Sequence, residues 1–117
     1  MNVEATRRIA DMRSYAAAVT RLVETRSLDE VLNHEALRCA LCYTLFVIGE
    51  ASIHVPEATR NAMPTIPWMQ LRGLRNRLAH AYFSLDPIMI YVTATTSIPD
   101  LLDKLDNASP DEPGADR

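Results

Sequence analysis

Apolar residues recur at helical spacing along most of the chain, and few β-branched residues alternate with polar ones as a strand would require. Residues 4–25 form the first such segment, with charged side chains mostly on the opposite side, which predicts an amphipathic helix. A long second helix is predicted over residues 28–53. It begins at a capping box in which the Ser27 side chain accepts a backbone hydrogen bond and Glu30 reaches back. Pro56 ends it, because proline disfavours helix in the residue before it.

Two further helices are predicted in the second half of the chain. The third covers residues 67–81, with Pro67 at its first position, where an amide proton would have no intrahelical partner. Asp86 is expected to cap a fourth helix over residues 88–105. Pro99 must kink or split that helix, since it removes a backbone donor and clashes with the preceding turn.

The middle of the second helix, residues 39–48, is apolar on nearly every side except at Thr44. A helix with one face in water would not show this pattern. We therefore expect it to be central, packed within its own protomer and against a second copy. The predicted fold is all-α: a homodimeric, four-to-five-helix up-and-down bundle over residues 1–106, followed by a disordered polar tail at 107–117.

Composition adds limits to this picture. A chain of 117 residues with 48% apolar residues fits one domain with its own core. The net charge of −3 excludes a generally basic nucleic-acid binder, so any phosphate site must be local. The start of the chain lacks the apolar stretch of a signal peptide, and no apolar run approaches the roughly 18 residues of a membrane span. We expect a cytoplasmic protein that does not enter a membrane. Cys39 and Cys42 are interpreted as buried thiols rather than a redox pair.

The candidate chemistry lies between Trp68 and Phe83. Three arginines, Arg72, Arg75 and Arg77, fall within six residues and are followed by His80 and Tyr82. Arginine holds phosphate oxygens with a planar fork of donors, and histidine exchanges protons near neutral pH. Together they indicate chemistry on a phosphodiester with no metal required.

This segment resembles the HEPN superfamily, and within it the HepT-like toxins. The resemblance is carried by Arg75-Asn76-Arg77-Leu78-Ala79-His80-Ala81-Tyr82, which matches an Arg-Asn-x4-His-x-Tyr motif. Flanking blocks that match are Ile48-Gly49-Glu50-Ala51, Ile66-Pro67-Trp68, Asp86 and Ile98-Pro99-Asp100-Leu101. Together they extend the resemblance over nearly the whole chain, to about Leu105.

The resemblance implies a metal-independent endoribonuclease toxin that needs no cofactor and leaves a 2′,3′-cyclic phosphate. His80 would serve as general acid or base, and Arg75 would neutralise charge on the phosphate, with Asn76 bonded to His80 or to the phosphate. It also implies a twofold dimer of motif helices, and a nucleotidyltransferase antitoxin that attaches AMP to Tyr82. The alternative is a non-catalytic HEPN module that binds nucleotide or RNA, or that acts as a scaffold for the nucleotidyltransferase.

The motif helix poses a geometric question. Leu71, Leu74 and Leu78 define its core side, whereas Arg75 and His80 are five residues apart and thus separated by about 140° around the axis. Either the helix loosens before His80, or two copies of the motif face each other in a dimer.

Other side chains near the motif leave alternatives open. Gly49 permits close helix packing or brings Glu50 to the motif, and Glu50 either orients Arg75 or forms an ordinary ion pair. Arg72 is a solvated charge or contacts the RNA backbone. Trp68 is expected in the core, and His54 has no evident partner for chemistry.

Overall fold

The computed structural model describes residues 2–80 and 84–107. Seven α-helical segments form this part of the chain: α1 (Val3–Val23), α2 (Leu28–Leu32), α3 (Glu35–Ile53), α4 (Glu57–Ala62), α5 (Trp68–His80), α6 (Pro87–Val92) and α7 (Ile98–Asn107). A π-helical turn, Thr93–Ser97, joins α6 to α7. The described ranges contain no strand, so the predicted all-α class is confirmed.

Helix α3 is the centre of the bundle. It packs against α1 on one side and α5 on the other, and α1 packs in turn against α7. Most of the large side chains that are fully buried come from these elements: Met12, Val19, Leu41, Leu45, Ile48, Ile98, Leu101 and Leu105. The predicted core side of the motif helix is confirmed, since Leu71, Leu74 and Leu78 are each 5% exposed.

The predicted continuous helix over residues 28–53 is wrong, because the chain breaks at Asn33 and His34. His34 is extended and its Nδ1 accepts the amide of Leu37 at 3.1 Å, which caps α3. The guanidinium of Arg38 donates to the carbonyls of Val31 and Leu32, which are left over at the end of α2. Side chains thus satisfy the backbone groups that the break exposes.

The capping predictions at Ser27 and Asp86 are confirmed, whereas Pro67 directly precedes α5 and does not take its first position. Ser27 and Glu30 form both bonds of the capping box, each 3.1 Å long. Asp86 Oδ1 accepts the amide of Ile88, with Pro87 in the first turn of α6. Pro99 splits the last helix as expected, and the irregularity takes the form of the π-helical turn in the residues just before it.

The expectation that no segment is long and apolar enough to span a membrane is corrected by α3. This helix has 19 residues, and an 18-residue window of it reaches a mean hydropathy of 1.5, with 44% of that window buried inside the protein. The core helix of a soluble protein meets the same criterion of length and composition, and α3 packs on two neighbouring helices. It does not by itself indicate a membrane protein.

Candidate active site

Helices α3 and α5 approach each other closely at Gly49. A Cβ atom at this position would lie 2.7 Å from the Cβ of Arg75 and 3.0 Å from the carbonyl oxygen of Leu71. Real Cβ atoms do not come that close to their neighbours, so only glycine allows this packing. Both readings of Gly49 therefore hold: it permits close helix packing, and it brings the residue after it to the motif helix.

Arg75 is held from several sides. Its Nε donates to Oε1 of Glu50 at 2.8 Å, and its Nη1 donates to Oδ1 of Asn76 at 3.2 Å. The guanidinium carbon lies 5.9 Å from the centre of the Phe46 ring, within the range of a cation–π contact. The side chain remains 30% exposed. Among residues 2–80 and 84–107, Nη2 has no hydrogen-bond partner.

Glu50 is the anionic partner of this cluster. The hydrogen bond from Arg75, followed by the one from His54, holds the pKa of Glu50 below its usual value of 4.5. The carboxylate is therefore ionised at neutral pH and fixes the Nε edge of the guanidinium. Since an arginine bound at one edge loses less freedom when it binds an anion at the other, this contact favours a positioned Arg75.

His54 is the residue that sequence reasoning missed. Its Nε2 lies 3.0 Å from Oε2 of Glu50, so a polar series runs from His54 through Glu50 to Arg75 and Asn76. The spacing of Glu50 and His54 could have predicted this contact, because residues four apart on a helix share one face. Asn76 is also found in a different contact from the expected ones, since its carbonyl oxygen accepts from Arg75.

His80 lies at the end of the described part of α5, where it is exposed together with Arg72 and Asn76. The helix remains α-helical through His80, so loosening before this residue is not observed. No hydrogen bond or ion pair joins Arg75 to His80 within the parts of the chain that are described. The two side chains diverge as a regular helix requires. Tyr82, the expected site of AMP attachment, lies outside the described residues.

Two further groups bear on chemistry. Cys39 is exposed, contrary to expectation, whereas Cys42 is buried, and burial raises the pKa of the Cys42 thiol. Within residues 2–80 and 84–107, no cluster of three or more histidine, cysteine or carboxylate side chains could hold a metal ion.

Trp68 is partly exposed and packs against the core, with its indole Nε1 donating to the carbonyl of Met63 at 3.0 Å. Its ring also lines a cavity of about 260 Å³ between the end of α3, α4 and the start of α5. The cavity is lined by Ser52, Ile53, Arg60, Trp68, Met69 and Arg72.

The helical fold and the arginine–histidine motif helix, packed on Gly49 and Glu50, define a domain of the HEPN type. Comparison with known proteins is in agreement, because residues 4–108 match the family model described as ribonuclease HepT-like. The chain belongs to this family.

Named relatives agree with this assignment. A candidate RNase of Methanocaldococcus jannaschii is 33% identical over 91 residues, which is 78% of this chain and 78% of that protein. Another from the same organism is 30% identical over 106 residues, covering 91% of this chain and 88% of the relative. A protein of Thermococcus cleftensis named as a probable ribonuclease HepT is 32% identical over 78 residues, which is 67% of this chain and 71% of that protein. No solved structure is significantly similar to the chain.

Proposed function

We propose that this protein is a cytoplasmic ribonuclease toxin that cleaves RNA without a metal ion, with Arg75 and His80 as its catalytic residues. The observation that carries the proposal is the fixed guanidinium of Arg75, held by Glu50 and Asn76 within a motif typical of a ribonuclease family. A cation held in place before the substrate arrives is what stabilisation of a phosphoryl transition state needs.

The reaction that suits these groups is transesterification within the RNA chain. The 2′-hydroxyl attacks the adjacent phosphorus, the bond from phosphorus to the 5′-oxygen breaks, and a 2′,3′-cyclic phosphate and a 5′-hydroxyl result. His80 takes the proton of the attacking hydroxyl or supplies one to the leaving 5′-oxygen, a role that contributes roughly 10² to 10⁴ in rate. Arg75 neutralises the charge that grows on the non-bridging phosphate oxygens.

We further propose that the site is composed of two protomers. Arg75 and His80 diverge by about 140° on one regular helix, so His80 of one copy would meet Arg75 of the other across a twofold axis. Apolar surface on α3 supports such pairing, because less than half of its apolar window is buried in one chain. Tyr43 is 62% exposed on that helix, and Phe46 is partly exposed one turn further along.

Control of the toxin is proposed to act through Tyr82. A nucleotidyltransferase antitoxin would add AMP to the phenol, which follows His80 by two residues in the sequence. The added phosphodiester places negative charge and bulk beside a site built for phosphate, and so excludes RNA by repulsion and by steric conflict.

The test is cleavage of a labelled tRNA pool by the purified protein in the presence of EDTA, with His80→Ala as the matched inactive variant. We expect fragments ending in a cyclic phosphate from the native protein and a rate reduced by about 10² to 10⁴ for the variant. Equal cleavage by the two proteins would remove His80 from the mechanism. No cleavage by the native dimer, together with tight RNA binding, would favour the non-catalytic alternative.

A further inference from the structure

We propose that the cavity between the end of α3, α4 and the start of α5 is a nucleotide-binding subsite for the RNA strand. Arg60 and Arg72 would bind the phosphate of a nucleotide next to the one being cleaved, and Trp68 would stack on its base. The inference rests on the proposed function, because it names where the strand continues beyond Arg75.

The two cations of this cavity lack partners in the part of the chain that the structure describes. No ion pair or hydrogen bond engages the guanidinium of Arg60 or of Arg72 among residues 2–80 and 84–107. In the same ranges no buried side-chain nitrogen or oxygen lacks a hydrogen bond, so these unpaired donors reach solvent. Two arginines with free donors at one cavity form a local anion site on a chain whose net charge is −3.

Trp68 forms a fixed aromatic wall of the cavity. Its indole N–H is bonded to the carbonyl of Met63 at 3.0 Å, and its ring packs against the core, so the ring orientation is set before a ligand arrives. Met69, beside it in the cavity wall, is 84% exposed. Stacking on an aromatic ring of this kind contributes about 1–3 kcal/mol per base and tolerates any base.

The place of the cavity relative to the catalytic cluster fits a continuous strand. Arg72 precedes Arg75 by three residues on α5, so the two side chains lie on the same side of the helix about 4.5 Å apart along its axis. On α3, Ile53 of the cavity wall precedes His54 of the Glu50 cluster. When an RNA strand binds at Arg75, the nucleotide next to the cleaved one therefore lies at the cavity.

The size of the cavity limits its occupant. About 260 Å³ is below the roughly 300–1,000 Å³ of pockets that enclose drug-sized ligands. Ser52 contributes little to recognition, because its hydroxyl donates to the carbonyl of Gly49 at 2.7 Å. The combination of two free cations, one fixed aromatic ring and a small volume suits a single nucleoside phosphate within a longer strand.

The experiment uses Trp68 as its own reporter, since the chain has one tryptophan. The full-length protein is titrated with a 2′-O-methylated hexanucleotide, which lacks the attacking hydroxyl and so cannot be cleaved, while tryptophan emission is recorded. AMP and inorganic phosphate are titrated in parallel, to separate a strand from a free nucleotide or a simple anion. Arg60→Gln and Arg72→Gln keep the aliphatic stems and remove the charge, and Arg21→Gln is the matched control outside the cavity.

We expect saturable quenching by the hexanucleotide, with weaker responses to AMP and to phosphate. Each cavity variant should weaken binding by about tenfold or more, and should reduce the slope of log K against log salt by about 0.7. Arg21→Gln should bind like the native protein. With cleavable RNA, KM should rise while kcat is kept, because the subsite binds the strand and takes no part in the reaction.

The outcomes separate this inference from the proposed catalysis. Quenching that depends on Arg60 and Arg72 in a protein that never cleaves RNA would support the subsite and overturn the ribonuclease proposal. Cleavage without any change in Trp68 emission, or with both variants equal to Arg21→Gln, would overturn the subsite. AMP binding as tight as that of the hexanucleotide would replace the RNA strand with a free nucleotide as occupant, and so would also overturn it.

Discussion

Gly49 packs closely against Arg75 where α3 meets α5, and a Cβ atom on residue 49 would lie only 2.7 Å from the Cβ of Arg75. The next residue on α3, Glu50, binds the guanidinium of the same arginine. The absence of a side chain at one position and the carboxylate at the next therefore act together. One sets the distance between the helices, and the other sets the direction of the proposed catalytic cation.

Substitution of Gly49 by alanine should destabilise the protein in spite of its better helix propensity. Overpacking a tight contact destabilises a protein by about 1–3 kcal/mol. The better helix propensity of alanine than of glycine in a helix interior offsets about 1 kcal/mol of this loss. We expect a net loss of up to about 2 kcal/mol in the free energy of unfolding, measured by urea denaturation. RNA cleavage should also fall, because α5 must move away from Glu50.

Gly73 supplies the matched control on α5. A Cβ there would meet no atom within 4 Å, so alanine gains helix propensity without a clash. Gly73→Ala should raise the free energy of unfolding by about 0.5–1 kcal/mol. The same substitution thus has opposite signs at the two glycines. A Gly49→Ala protein as stable as Gly73→Ala would refute the close-packing account.

Glu50→Gln tests the anchor of Arg75. Glutamine keeps the shape and the accepting oxygen but loses the charge, and bonds to charged groups are stronger by about 1 kcal/mol than neutral ones. Cleavage should fall roughly fivefold to tenfold. Since His80 and Arg75 are both retained, a loss as large as that of His80→Ala would instead place Glu50 in the reaction itself.

The same variant has a defined pH signature. The pKa of Glu50 is lower in the folded protein than its usual 4.5, chiefly through the hydrogen bond from Arg75. Its contribution to stability is therefore complete above about pH 4.5 and is lost as the pH falls through the lowered folded-state pKa. The stability difference between the native protein and Glu50→Gln should shrink as the pH falls from about 4.5 toward 3. Urea unfolding at each pH measures it, and a gap that widened in acid would contradict this linkage.

The sequence predicted local features better than contacts between helices. The capping box of Ser27 and the cap at Asp86 depend on residues only two or three positions away, so both can be predicted from the sequence. The break at Asn33 and His34 was missed because neither residue type stops a helix reliably, and because Arg38, which satisfies the freed carbonyls, acts from the next helix.

Contacts over longer separations were foreseen only as alternatives. Glu50 and Arg75 are 25 residues apart, and the sequence could suggest their pairing but could not choose orientation over a surface ion pair. The juxtaposition of Arg60 with Arg72 was not foreseen at all. It depends on how α4 and the connection after it fold back on α5, which no periodicity encodes.

His54 and His80 should behave differently when they are substituted. His54 contacts Glu50 with 47% of its side chain exposed, and exposed pairs contribute about 0–1 kcal/mol. His54→Gln should leave stability nearly unchanged and reduce cleavage less than tenfold, because Glu50 still holds Arg75. His80→Ala should lower the rate by about 10² to 10⁴. Equal losses in the two variants, compared in one single-turnover assay, would show that His54 belongs among the catalytic residues.

Mixed dimers test the composite site. Arg75→Ala and His80→Ala should each be inactive yet folded, since Arg75 lies at the edge of the core stripe and His80 is exposed. If each site takes its arginine from one copy and its histidine from the other, a heterodimer of the two variants has one site with both residues intact and one with neither. Co-refolded mixtures should then recover up to about a quarter of native activity, since half of the dimers are mixed and each has one intact site.

The control for this experiment is the same mixture made from the double variant Arg75→Ala/His80→Ala and the native protein. If the site is composite, each mixed dimer then has two sites that lack one residue each and should be inactive. If each protomer holds a complete site, this mixture keeps about half of native activity, and the mixture of single variants recovers none. If the site is composite, only the native homodimers are active, and about a quarter remains. A monomer in light scattering at micromolar concentration would exclude the arrangement outright.

Tyr82→Phe tests the proposed control of the toxin. Phenylalanine keeps the ring and removes only the oxygen that would accept AMP, so the variant should cleave RNA at the native rate. Co-expression with a cognate nucleotidyltransferase should add one or more AMP units to the native protein, seen as increments in intact mass, and should silence it. The variant should gain no mass and stay active in the presence of the same partner.

The same adduct on Tyr82→Phe would move the modification to another residue, with Tyr43 and Tyr91 as the candidates on helices. Silencing of both proteins without any adduct would show that the partner inhibits by binding alone.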